Sequence, residues 1–138
     1  MAVIEWDDGL FSIGIGKIDE QHKKWIELIN VINDSIGNSQ NVAILGKVFQ
    51  DMVDYCDYHF REEEELMQNH KYPEYEAHKQ KHEKFTEMAI SYRKNLMNGE
   101  MVSRLEVILN LVEWLKKHIQ VVDREFGRFV LSGEKPQD

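Results

Sequence analysis

Residues 45–66 read LGKVFQDMVDYCDYHFREEEEL. Stepping alternately by four and three residues picks out Leu45, Phe49, Met52, Cys56, His59, Glu63 and Leu66. Those steps keep to one face of an α-helix, because ~3.6 residues complete a turn. The face runs apolar from Leu45 to Cys56 and then carries a histidine and a carboxylate at i and i+4, aimed the same way. An apolar stripe of this kind is the core-facing side of a packed helix. Its polar end needs a buried partner.

Three other segments carry the same periodicity. Ile18, His22, Trp25, Ile29, Ile32 and Ile36 form one stripe. Tyr75, His78, His82, Phe85, Ala89, Tyr92 and Leu96 form another, and Ile108, Leu111, Leu115, His118 and Val122 a third. Turn signals separate the four. Asp19 serves as an N-cap and Gly37 as a C-cap, Ser39–Gln40–Asn41 makes a polar break, and Tyr72–Pro73 makes another, with Pro73 in the first turn of the next helix. Asn98–Gly99 stops the third helix, and the fourth begins near Met101–Ser103. The expected helices are therefore 19–37, 41–69, 74–97 and 102–131, ahead of a polar tail from Gly133 to Asp138. Four stripes with short connections predict an all-α fold, an antiparallel up-down-up-down four-helix bundle in one domain, 1–138. Residues 1–17, with Gly9, Gly14 and Gly16, read as an extended N-terminal lead-in.

The chain has 138 residues, and 17 Lys plus Arg face 25 Asp plus Glu, a formal net charge of −8. That balance excludes a general nucleic-acid binder, which needs a basic footprint on phosphates. It also disfavours anionic membrane surfaces. No apolar run reaches the ~18 residues of a membrane-spanning helix, and the start MAVIEWDDGLF lacks the basic-then-apolar order of a signal peptide. The expectation is a soluble, cytoplasmic protein. Cys56 is the only cysteine, so neither an internal disulfide nor a thiolate cluster is available.

Every stripe carries a histidine, five of the six in all, and Glu63 joins them. One inward histidine is ordinarily a core residue whose ring has found a carbonyl. Five of them without partners would cost about 1–3 kcal/mol each, and a shared metal centre satisfies them together. His59 with Glu63, and His78 with His82, sit at i and i+4 and can converge on an ion. Asp123 is harder to place, because five residues on an ideal helix turn ~140° past the direction of His118. It must approach from the flank, or the helix must widen locally into a π-type turn. Five imidazoles and two carboxylates overfill a four-ligand zinc site. Without thiolate, they suit iron, manganese, copper or nickel, with two ions bridged by carboxylates.

These motifs resemble the hemerythrins, the bacterial ones above all. The resemblance is carried by Ile18-Asp19-Glu20-Gln21-His22, His59-Phe60 followed by Glu63, His78 with His82, and Trp114-Leu115-Lys116-Lys117-His118-Ile119 followed by Asp123. It spans roughly Trp6 to Phe129. It implies a non-haem di-iron protein that binds dioxygen, with His78, His82 and His118 on one iron and His22 and His59 on the other. Glu63 and Asp123 then bridge the pair beside a solvent-derived oxo or hydroxo bridge. If both irons are octahedral, one position stays open, on the two-histidine iron. The pocket candidates around it are Trp25, Phe60, Trp114, Leu115 and Ile119, each of which is equally a core residue.

Reversible binding, as carrier, store or delivery module, is the function the resemblance implies. The rivals are a di-iron enzyme (a peroxidase or nitric-oxide handler) and a module sensing oxygen or iron. Oxygen-activating di-iron bundles use Glu-x-x-His pairs, and no histidine here has a glutamate three residues before it. The pocket candidates supply no general acid, so the expectation is a non-enzyme. A sensor would carry an output domain, for which 138 residues leave no room. An oxygen-consuming or redox protein partner is left unnamed. His70 falls off the stripes as a solvated loop residue, Cys56 reads as an inert buried thiol, and the glutamates around Glu63 as a solvated face. Met52, Met67 and Met88 read as core filler.

Overall fold

The computed structural model describes residues 2–38, 42–98 and 103–132. Four long helical segments form a ring: α2 (Gly16–Asn38), α3 (Val42–Asn69), α4 (Tyr75–Met97), and a composite fourth made of α5 (Arg104–Lys117), a π-turn (His118–Asp123) and α6 (Arg124–Ser132). A single helical turn, α1 (Asp8–Phe11), precedes them. Each long helix packs on its neighbours, α2 on α3, α3 on α4, α4 on α5, and α5 back on α2, which closes the four-helix bundle. The expected turn signals at Ser39–Gln40–Asn41 and Gly99, the start at Met101 and the tail from Gly133 lie outside the described residues. No helix among the described residues is long and apolar enough to cross a membrane.

The stripes pack inward largely as their periodicity requires. Ile18, Trp25, Ile29, Ile32, Phe49, Met52, Phe85, Ala89, Leu111 and Leu115 are all buried in one core. Ile36, Tyr75 and Tyr92 are half-buried, and at two further positions the next residue along takes the inward place. At the end of α3, Met67 is buried and Leu66 only half so. There Lys71 adopts a left-handed φ of 54°. The Lys71 N–H donates to Gln68 O at 3.1 Å and the Tyr72 N–H to Met67 O at 2.9 Å. This is a Schellman ending, with Tyr72 and Met67 making its apolar contact. On the fourth segment Val122, the expected inward residue, is half-buried, and Asp123 is inside.

The helix starts are corrected in detail. The first long helix begins at Gly16, so Asp19 lies within its first turn and is not the cap. Its carboxylate accepts instead from Ser12 Oγ at 2.6 Å and from the Ile13 N–H at 2.9 Å. Pro73 lies in the turn, ahead of the Glu74 cap of α4. Ser103 caps α5, its side chain accepting from the Glu106 N–H at 3.2 Å.

The lead-in is extended apart from α1, and specific polar contacts pin it down. The Asn30 amide accepts from the Val3 N–H at 2.8 Å and donates to Ile4 O at 2.8 Å. Arg124 Nη2 donates to Leu10 O at 2.6 Å. Ile4, Phe11 and Ile13 are buried as a result. Gly127 makes the close approach of α6 to the lead-in feasible, since a Cβ there would stand 2.3 Å from Ile13 O.

Candidate metal centre

The bundle brings seven donors into one buried site. His22 projects from α2, His59 and Glu63 from α3, His78 and His82 from α4, and His118 and Asp123 from the two ends of the π-turn. None is more than 3% exposed. The i, i+4 pairs on α3 and α4 are held by ordinary helical geometry. Asp123 needs the π-turn. Its i→i+5 bonding, seen in the Arg124 N–H reaching Ile119 O, brings residues five apart to the same side of the helix. That settles the two approaches open to Asp123 in favour of the widened turn.

The carboxylates divide their oxygens between two sets of imidazoles. Glu63 Oε1 faces His78 Nε2 at 2.8 Å and His82 Nε2 at 3.2 Å. Its other oxygen, Oε2, faces His59 Nε2 at 3.6 Å and His22 Nε2 at 3.9 Å. Asp123 Oδ1 faces His78 Nε2 at 2.9 Å and His118 Nε2 at 3.1 Å, while Oδ2 lies 3.0 Å from His22 Nε2. Donor atoms therefore gather in two groups, one of Glu63, His78, His82, His118 and Asp123, the other of His22, His59, Glu63 and Asp123. Both carboxylates belong to both groups.

Most of these atoms converge in distance without a hydrogen-bond partner. Both oxygens of Glu63 and of Asp123, both ring nitrogens of His22, and His59 Nε2 find no hydrogen-bond partner among the described residues. His118 Nε2 lies 3.2 Å from His78 Nε2 and 3.1 Å from His82 Nε2. The few ring protons available cannot satisfy so many facing nitrogens at once, and two buried carboxylates cost several kcal/mol each. Metal cations at the two foci relieve both, so the donor set fits a metal centre and is able to hold one.

The titration behaviour has the same origin. Burial pushes His59 down to about 3 and His118 down to about 4. Burial opposes protonation at His78 too, yet the Asp123 and Glu63 carboxylates close beside its Nε2 win and raise it to about 10. Against burial and the nearby Asp123 charge, the close approach of the His78 and His82 rings holds Glu63 down at about 2. Asp123 falls well below its usual range: burial works against this, but its attraction to His118 and the close approach of the His118, His22 and His78 rings prevail.

Two outer residues orient the rings. The His59 Nδ1–H donates to Gln21 Oε1 at 2.7 Å, with Gln21 buried. The His82 Nδ1–H donates to Glu64 Oε2 at 2.8 Å. The solvated-face reading of the glutamate run is corrected for Glu64, whose side chain is 18% exposed. Neither role was legible from helical phase, because Gln21 and Glu64 each adjoin a donor and lie off the stripe. Two aromatic rings lie flat on histidines: Phe60 on His82, with centroids 3.9 Å apart, and Trp114 on His118, at 4.4 Å. Leu115 and Ile119 are fully buried in the same core. His70 is exposed, and burial pushes the Cys56 thiol up, which makes it inert.

Comparison with known proteins agrees with this geometry. Residues 13–130 match the model of the hemerythrin HHE cation binding domain. A bacteriohemerythrin of Stenotrophomonas maltophilia is 39% identical over 92% of this chain and 81% of its own length. One from Methylococcus capsulatus is 30% identical over 92% of this chain and 96% of its own. The crystal structure of a wild-type hemerythrin superposes with a TM-score of 0.84 at 29% identity, covering 91% of this chain and 96% of that one. A leucine-to-alanine variant of a hemerythrin superposes with a TM-score of 0.85.

Proposed function

The chain belongs to the hemerythrin family, and on that premise we propose that it binds dioxygen reversibly at a carboxylate-bridged pair of non-haem irons. The observation that carries the reading is the division of Glu63 and Asp123 between a three-histidine and a two-histidine group. His78, His82 and His118 would hold one iron and His22 and His59 the other, with the two carboxylates and a solvent-derived oxo or hydroxo group between them. An iron pair held there would supply the two electrons that dioxygen takes up on binding and gives back on release.

The chain's own residues do the rest. Gln21 and Glu64 accept the outer ring N–H groups of His59 and His82, which leaves each Nε2 free to face the centre. Trp25, Phe60, Trp114, Leu115 and Ile119 wall the site and exclude water. None of these five side chains is a general acid, so nothing in the wall delivers a proton that would drive cleavage of the ligand. That favours a carrier, store or delivery module over an enzyme.

The test is a visible spectrum of the iron-loaded protein under argon, under oxygen, and under argon again. A band that rises with oxygen and falls on its removal supports the reading. Zinc retained in preference to iron, or a spectrum indifferent to oxygen, overturns it.

A further inference from the structure

Trp25 is completely buried, yet its indole Nε1–H has no acceptor among the described residues. A buried donor left unpaired costs about 1–3 kcal/mol, which is why such groups are rare. The indole lies in an aromatic enclosure. Phe60 and Phe85 meet it edge-on, at centroid distances of 5.6 and 5.2 Å, and Trp114 lies tilted at 6.0 Å. Ring faces are weak acceptors and replace little of a lost hydrogen bond.

The position of the ring matters as much as its isolation. Trp25 lies three residues after His22 on α2, on the same helical face. Its centroid is 6.4 Å from that of His22 and 5.8 Å from that of His59. These are the two imidazoles of the less crowded donor group. His59 is already tied to Gln21, and Phe60 is stacked on His82. Trp25 is thus a fully buried indole with an uncommitted N–H whose ring packs against the group with fewer donors.

We propose that the Trp25 Nε1–H is the hydrogen-bond donor for a small acceptor ligand, dioxygen or azide, entering beside His22 and His59. The inference rests on the reading of those two histidines as the open half of a di-iron centre. It makes Trp25 a positioning residue as well as a piece of wall. A lone neutral donor in an apolar pocket strengthens ligand binding without offering a labile proton, because an indole N–H does not ionise at ordinary pH.

The metal-free protein gives one test. Trp6 provides an internal reference, since its Nε1–H donates to Asp8 Oδ1 at 2.6 Å. With 15N-labelled indoles, the Trp25 proton should resonate clearly upfield of the Trp6 proton. A Trp25 signal as far downfield as that of Trp6 means the donor already has a partner and overturns the proposal.

Azide titration of the diferric protein gives the other. Trp25→Phe removes the N–H and keeps an aromatic ring; it should bind azide about tenfold more weakly and shift the infrared stretch of the bound azide. Trp6→Phe should change neither. A fully iron-loaded Trp25→Phe protein with wild-type azide affinity and an unshifted stretch overturns the donor role alone. A wild-type protein that loads iron and gives no azide complex overturns the open-half reading, and the donor role with it.

Discussion

Asp123 Oδ1 lies 3.1 Å from His118 Nε2 although the two residues are five apart on one helical segment. An α-helix would turn the carboxylate ~140° away, so the π-turn exists to bring it back. Irregular turns of this kind persist where a site over-determines them. Asp123→Ala should therefore lower iron loading from two ions per chain toward one, read by metal analysis. His70→Ala, on an exposed residue, should leave two. Equal loading in all three proteins would contradict a bridging role.

Gln21 and Glu64 test the outer hydrogen bonds. Gln21→Ala frees His59 Nδ1 and Glu64→Ala frees His82 Nδ1. Each should weaken metal affinity by roughly 10–100-fold, as loss of an orienting partner does. Glu64→Gln keeps an acceptor and should recover most of the loss. Competition with a chelator of known affinity measures all three.

The pH dependence of the metal-free protein follows from opposed shifts. His59 and His118 are held near 3 and 4, below their ordinary 6.5. Unfolding lets them take up protons, so stability falls as the pH drops below about 6.5. The depressed Glu63 and Asp123 act in the same direction as the pH falls further. His78 is raised to about 10, so its contribution is complete below 6.5 and is lost as the pH rises toward 10. Urea midpoints should peak near neutral pH and fall on both sides. Metal must displace the His78 proton, so loading at pH 7 should release at least one proton per chain, measurable with an indicator dye.

Gly127 carries the contact between α6 and the lead-in. Gly127→Ala places a methyl 2.3 Å from a backbone oxygen, Ile13 O, which has little room to give. The cost should be about 1–3 kcal/mol in denaturant unfolding. Lys71→Gly should act oppositely, because glycine tolerates the left-handed φ of 54° without steric penalty. A gain of roughly 0.5–1 kcal/mol is expected, after the added freedom of the unfolded chain is subtracted.

Leu115 is fully buried one turn before His118. Leu115→Ala opens the wall and should cost about 2–5 kcal/mol of stability. No donor changes, so iron content should hold while the oxygenated protein oxidises faster, because water reaches the site more readily. A folded, fully loaded variant that oxidises at the wild-type rate would reduce Leu115 to core packing.

The sequence by itself determined the four helices and most of the donor set. Helical phase is a local property: His59 with Glu63, and His78 with His82, face one way because each pair is one turn apart, whatever surrounds the helix. The same phase could not place Asp123, since the choice between an α-turn and a π-turn depends on what the carboxylate meets across the bundle. Only the tertiary structure supplied His22 Nε2, 3.0 Å from Asp123 Oδ2. Gln21 and Glu64 were hidden for a related reason, because a residue off the apolar stripe finds its partner on a neighbouring helix. The lead-in contact at Gly127 belongs to the same class. Spacing decides which side chains share a face; the crossing of separate helices decides which atoms meet.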